Sequence, residues 1–156
     1  MITTNSGRRA VTWSRVPAGA GWGAVATVAM SALMLAGVAI GVAPMPKPIP
    51  AALVAETFGT LPEPVRLVLA VVAHLGYGAV AGALLAVLVR QVSVRIAAGY
   101  GALLWVVMGL VWLPYLGWGL FGTAVTPKVA VATLVLHLVY GLALGLLLDR
   151  RKEAVG

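Results

Sequence analysis

Two copies of one nine-residue pattern contain the side chains that could carry chemistry. The pattern is H-L-x-Y-G-x-x-x-G, and it begins at His74 and again at His137, 63 residues later. Each copy places a histidine, a tyrosine (Tyr77 or Tyr140) and two glycines inside a long apolar run. Ionisable residues within membrane-spanning segments are rare and often mark functional sites. The two histidines are therefore the first candidates for a binding site.

The first chemistry that these residues indicate is the ligation of haem iron. Neutral imidazole is a good iron ligand, so His74 and His137 could be the axial ligands of a haem b. Gly78 and Gly141, one turn after each histidine, would let a flat macrocycle lie against the helix backbone. A divalent metal site is not predicted, because two histidines without a carboxylate or a cysteine form an incomplete ligand set.

Two other interpretations of the same residues stay open. A pocket for a quinone or a lipid could form between the histidines, Trp105 and Met108. Alternatively, His74 and His137 are neutral and hydrogen-bond across a helix interface to a tyrosine hydroxyl or a backbone carbonyl. Such bonds contribute about 0.6 kcal/mol on average in membrane helix bundles. We favour this packing role, in which the repetition of the pattern reflects ancestry and no cofactor is bound.

The acidic residues argue against catalysis and ion-coupled transport. The chain has four, in loops or at the C-terminal end of the last helix: Glu56, Glu63, Asp149 and Glu153. No carboxylate therefore lies at membrane depth to relay protons, and no carboxylate pair is available for acid–base chemistry. The chain has no cysteine, which excludes thiol chemistry and disulfides. We predict no catalytic residues and favour a non-enzymatic role, although an enzyme stays open.

The elements that must position these residues are membrane-spanning helices. Hydrophobic residues make up 62% of the 156-residue chain, and the mean hydropathy is +1.04. Apolar runs of about 18 or more residues are typical of membrane spans. Four such runs predict helices at about residues 20–43, 65–89, 96–113 and 129–148. We therefore predict an all-α polytopic domain over residues 18–148, between tails of residues 1–17 and 149–156.

A shorter helix is predicted between the first two spans. Four prolines at alternate positions over residues 44–50 cannot continue the first helix. Residues 51–58 then predict a short helix that ends at Gly59. Its apolar side contains Leu53, Val54 and Phe58, so we expect this helix to lie on the membrane surface.

The basic residues predict the orientation. Eight lie on one side of the predicted membrane: Arg8, Arg9, Arg15, Arg90, Arg95, Arg150, Arg151 and Lys152. Three lie on the other side: Lys47, Arg66 and Lys128. The positive-inside rule then places both termini in the cytoplasm, with the protein in the plasma membrane. Because the charges lie at helix ends and in loops, we do not expect the net charge of +7 to indicate nucleic-acid binding.

Small residues four apart predict close helix packing. Such residues let helices approach closely in lipid, as in the GxxxG motif. They fall on one face of the first, second and fourth spans: Gly23, Thr27 and Ser31; Gly78 and Gly82; Gly141 and Gly145.

The duplicated pattern predicts two helical hairpins in tandem, as a parallel repeat. The second and fourth spans then run in the same direction, with their histidines roughly 10 Å below the outer boundary at 1.5 Å per residue. The segment G-A-V-A-T-V-A-M-S over residues 23–31, together with the pattern that begins at His137, resembles uncharacterised four-helix prokaryotic integral membrane proteins with no known activity. The resemblance covers most of the chain and implies the four-helix topology.

These observations predict a non-enzymatic membrane subunit or scaffold that packs with itself or with a partner membrane protein through its small-residue faces. The first alternative is a redox protein that binds haem b or a quinone through His74 and His137. The second is a small transporter, which would need a water-filled path to both histidines.

Overall fold

Five helices organise the part of the protein that the structure describes. The computed structural model describes residues 15–153, and the side chains of residues 15–149. Its helices are α1 (Val16–Ala39), α2 (Ile49–Phe58), α3 (Glu63–Leu88), α4 (Val94–Tyr115) and α5 (Pro127–Glu153). All but α2 are long and apolar enough to cross a membrane. This confirms the predicted all-α, four-span fold, and the protein is a multi-pass integral membrane protein.

The first and last spans differ from their predicted bounds. Helix α1 lies four residues nearer the N-terminus than the predicted 20–43, because Pro17 suits a first helical turn. Its end is set by Gly41, which has a φ of +74°. The N–H groups of Val42 and Ala43 then both donate to Gly37 O and terminate the helix. Helix α5 continues to Glu153, so most of the predicted tail of residues 149–156 is helical. Residues 1–14 of the predicted N-terminal tail lie outside the described residues.

Helix α4 passes through Pro114 by widening. The sequence predicted an end at Leu113, because a proline ring in an α-helix clashes with the carbonyl four residues earlier, here that of Leu110. The structure instead has a π-helical segment over Met108–Trp112, in which Leu113 N–H donates to Met108 O. The wider turn accommodates the proline, and the helix continues to Tyr115.

Glycines allow the helices of each hairpin to pack backbone against backbone. Helix α1 packs against α3, and α4 packs against α5. A Cβ atom added to Gly23 would lie 3.0 Å from Gly82 Cα, and one added to Gly141 would lie 3.0 Å from Ala98 Cα. Helix α1 also packs against α5, which joins the hairpins into one bundle. That the hairpins are a repeat stays a prediction.

The bundle has apolar side chains both inside and outside. One buried cluster joins the four spans near the turn between α3 and α4: Ala26, Ala81, Leu85, Val92, Ala97, Tyr140 and Leu144. A second cluster lies near α2: Met45, Ile49, Met108, Leu113 and Val129. The outer surface carries exposed valines and leucines along every span, for example Val28, Val68 and Val131. Lipid is the solvent that such a surface suits.

The short helix α2 is present and packs against α3. It begins at Ile49, two residues before the predicted start. Ile49, Ala52 and Val54 are buried, whereas Phe58 is 60% exposed. The helix therefore has one face on the bundle and one face outward, and its position on the membrane surface stays a prediction.

Candidate functional site

A cavity of about 290 Å³ lies between the spans beneath α2. Its walls are mostly apolar and come from every helix, with Met30, Met34, Leu53, Val54, Met108 and Leu136 among them. Its polar lining residues are Thr57, His74, Tyr77, Thr133 and His137. No described residue that lines the cavity carries a carboxylate, an ammonium or a guanidinium group. The space therefore suits an apolar molecule with few polar groups.

The cavity is open at the side of the bundle. Four of its lining residues are exposed on the outer surface: Thr57, Phe58, Ala73 and Tyr77. Ala73 and Tyr77 belong to the middle of α3, which is long and apolar enough to cross the membrane. The part of the opening beside Ala73 and Tyr77 therefore lies along the apolar surface of a span, and the part beside Thr57 and Phe58 lies at the end of α2.

The two histidines lie at similar levels on helices that run in the same direction. His74 is 11 residues from the start of α3 and His137 is 10 residues from the start of α5. At 1.5 Å per residue, both lie about 15 Å along their helices. Both line the large cavity. The large cavity thus brings together His74, Tyr77 and His137, three of the five residues predicted as a polar site.

His137 is held in one orientation by its own helix. Its Nδ1 lies 2.8 Å from Thr133 O, and a carbonyl oxygen can only accept, so Nδ1–H is the donor. Charge is costly at membrane depth, which favours the neutral ring. In that tautomer Nε2 carries a lone pair and acts as an acceptor. The side chain is only 8% exposed.

The wall behind His137 is a hydrogen-bonded unit built on Thr133. The Thr133 hydroxyl donates to Val129 O at 2.7 Å. The Trp105 indole N–H donates to Ala130 O at 3.1 Å and to Thr133 Oγ1 at 3.2 Å. Trp105 also packs against the Phe121 ring, with 4.6 Å between ring centroids. Trp105, predicted to border a pocket with Met108, is therefore placed behind the wall, whereas Met108 lines the cavity.

His74 has a more adaptable partner. Ser31 Oγ lies 3.2 Å from His74 Nδ1, across the interface between α1 and α3. A hydroxyl can donate or accept, so either neutral tautomer of His74 satisfies this contact. Ser31, which was predicted to allow close helix packing, thus contacts a histidine of the site. Thr27 of the same predicted face donates to Gly23 O at 2.8 Å within α1.

Tyrosine hydroxyls join the helices below the histidines. Tyr140 donates to Gly78 O at 2.7 Å, which ties α5 to α3. Tyr100 donates to Ala81 O at 2.9 Å and ties α4 to α3. A second cavity of about 20 Å³ lies beside these bonds and is lined by both histidines, Tyr77 and Tyr140. This volume is enough for one water molecule.

The glycines that follow the histidines face neighbouring helices. A Cβ atom on Gly78 would lie 3.0 Å from Thr27 Cβ in α1. A Cβ atom on Gly141 would lie against Ala97 O and Ala98 of α4. Gly82 likewise contacts α1, and Gly145 contacts Val94 and Ala97. The glycine surfaces on which a haem would lie in the alternative interpretation are therefore in contact with neighbouring helices. Within the described residues no group of three histidine, cysteine or acidic side chains could hold a metal ion.

Helix α2 and Trp112 contribute to the cavity although neither was predicted as part of the site. Leu53 and Thr57 are four residues apart on α2, and both line the cavity. That spacing predicts a shared helix face, but it does not tell which surface the face covers. Trp112 was not among the predicted site residues. The π-helical segment places Trp112 and Met108 on the same cavity wall.

Comparison of the chain with protein-family models, with curated proteins and with solved structures finds no match. The geometry of the cavity is therefore the basis on which a function is assigned.

Proposed function

We propose that the protein binds a small apolar molecule that enters its cavity from the lipid bilayer. The observation that carries this proposal is the cavity of about 290 Å³, with apolar walls and an opening beside Ala73 and Tyr77. An apolar solute dissolved in the bilayer would reach this opening without crossing water. Burying a mostly apolar ligand while a few polar groups orient it is the usual arrangement of small-molecule sites.

The scaffold function predicted from the sequence has less support. It depended on small-residue faces that could receive another chain. Inside the monomer, α1 and α3 pack against each other at Gly23, Gly78 and Gly82. Helix α5 packs against α4 at Gly141 and Gly145. A homo-oligomer or a partner membrane protein would have to use other surfaces. The cavity corresponds more closely to the predicted quinone or lipid pocket.

The two other predicted functions also fit less well. The helices occupy the glycine faces on which a haem b between His74 and His137 would depend. A transporter would need a water-filled path to the histidines, and the walls of the cavity are mostly apolar. We further propose, from the predicted distribution of eight and three basic residues, that the protein lies in the plasma membrane with both termini in the cytoplasm.

Photolabelling with benzophenone would test the proposed site. Irradiated benzophenone inserts into nearby C–H bonds, and the labelled peptides can be mapped by mass spectrometry. With the full chain in phosphatidylcholine nanodiscs, we expect labels at Met30, Met34 and Met108, which line the cavity. Ala73→Phe would obstruct the opening and reduce this labelling several-fold.

The matched control is Ala32→Phe, the same change at an exposed position of α1 that does not line the cavity. This variant should be labelled like the wild type. Labels spread evenly over the outer surface, or unchanged cavity labelling in Ala73→Phe, would contradict the proposed function.

A further inference from the structure

One polar atom beside the cavity makes no hydrogen bond within residues 15–149. His137 donates through Nδ1 to Thr133 O, and within residues 15–149 its Nε2 makes no hydrogen bond. In this part of the chain no fully enclosed polar side-chain atom lacks a partner. Nε2 must therefore reach open space, although the residue is only 8% exposed. The open space beside His137 is the two cavities.

The chemistry of this atom is fixed by the rest of the ring. Because Nδ1 holds the proton, Nε2 of the neutral imidazole can only accept a hydrogen bond. An acceptor that faces an apolar cavity gains a hydrogen bond when a ligand there supplies a donor. A ketone, a quinone carbonyl or an ether has no proton to give. A phenol, a quinol or another alcohol has one.

Resting on the proposed function, we infer that the cavity selects apolar molecules that carry a hydroxyl group, which donates to His137 Nε2. Thr133 is the positioning residue, because its carbonyl holds the Nδ1 proton and so presents Nε2 as an acceptor. His74 does not impose the same choice, since Ser31 can match either of its tautomers.

A resident water is the competing occupant. The cavity of about 20 Å³ has room for one. If such a water already donated to Nε2, the ligand's hydroxyl would bring no advantage. A matched pair of probes, 2-naphthol and 2-methoxynaphthalene, separates these cases, because they share one aromatic skeleton and differ in the hydroxyl proton.

The experiment measures the binding of both probes to the full chain in phosphatidylcholine nanodiscs, corrected for partition into empty nanodiscs. A neutral hydrogen bond to this acceptor predicts about five- to tenfold tighter binding of 2-naphthol. His137→Phe should remove that preference and leave 2-methoxynaphthalene bound. Ala32→Phe, which lies outside both cavities, should retain the wild-type preference for 2-naphthol.

A second measurement does not depend on the folding of a variant. The chain has two histidines, so ¹⁵N-histidine labelling of untagged protein gives the signals of two rings, assigned with His74→Gln. We expect 2-naphthol to shift the Nε2 resonance of His137 while Nδ1 stays protonated, and 2-methoxynaphthalene to leave Nε2 in place. A protonated Nε2 in the free protein, or a resonance that 2-naphthol does not move, would overturn the inference.

The outcomes distinguish the two proposals. Equal binding of the two probes, in competition with benzophenone labelling of the cavity, would overturn selection for a hydroxyl and leave the proposed function intact. Failure of both probes and of benzophenone to occupy the cavity would overturn the proposed function itself.

Discussion

Replacing Gly82 with alanine should separate α1 from α3 by a measurable amount. A Cβ atom at this position would lie 2.7 Å from Gly23 Cα and 3.0 Å from Gly23 N. Non-bonded carbons prefer about 3.5–4.0 Å, so the helices must move apart by roughly 1 Å. Because the atoms in the way belong to backbone, no side-chain rotation can relieve the clash. Overpacking of this kind costs about 1–3 kcal/mol.

The matched control is Gly76→Ala on the same helix. A Cβ atom there would meet no other atom within 4 Å. Both substitutions gain the same intrinsic preference of alanine over glycine for a helix, about 1 kcal/mol, so this gain cancels in the comparison. The difference in unfolding free energy between the two variants therefore measures the helix contact.

The assay is equilibrium unfolding in mixed micelles with increasing sodium dodecyl sulfate, followed by circular dichroism. We expect Gly82→Ala to be less stable than Gly76→Ala by about 1–3 kcal/mol. Equal stabilities of the two variants would refute the close contact of α1 and α3, and with it the position of His74 beside Ser31.

Two further predictions concern the walls of the cavity. Tyr140→Phe removes the buried hydrogen bond to Gly78 O and should lower the unfolding free energy by about 0.6 kcal/mol, and by about 1.7 kcal/mol at most. The control is Tyr115→Phe, which loses only an exposed hydrogen bond with Thr57. This control should change the unfolding free energy by less in the same assay. Pro114→Ala removes the ring that the π-helical segment accommodates, so this part of α4 should return to a regular α-helix and turn Met108 away from the cavity. Benzophenone labelling of Met108 should then fall relative to that of Met34. Unchanged relative labelling would show that the proline does not hold the wider turn.

The four spans could be predicted from the sequence because hydropathy over a window of residues is a strong and local signal. Helix ends were less predictable, since they depend on a few backbone contacts. The end of α1 follows from the positive φ of Gly41 and the two N–H groups that donate to Gly37 O. Pro114 was interpreted as a helix end, and the five-residue π-helical segment overrides that local preference.

The cavity could be predicted only in part. Spacing along α3 and α5 indicated that His74 and His137 occupy equivalent helix faces, and both line the cavity. Which helices surround them depends on tertiary packing, which no local pattern encodes. The orientation of α2 against α3 is the clearest case, because its apolar face could equally have covered lipid. The tautomer of His137 likewise depends on the backbone carbonyl of Thr133, which becomes a partner only in the folded helix.

Mass-spectrometric analysis of small molecules extracted from the purified protein tests the central claim most directly. If the cavity binds an apolar ligand, wild-type protein and Ala32→Phe should yield about one molecule of the same apolar compound per chain, enriched over the surrounding lipid. Ala73→Phe, with its opening obstructed, should have lost that compound. Extracts that contain only bulk phospholipid, in the same proportions for all three proteins, would contradict a ligand-binding cavity.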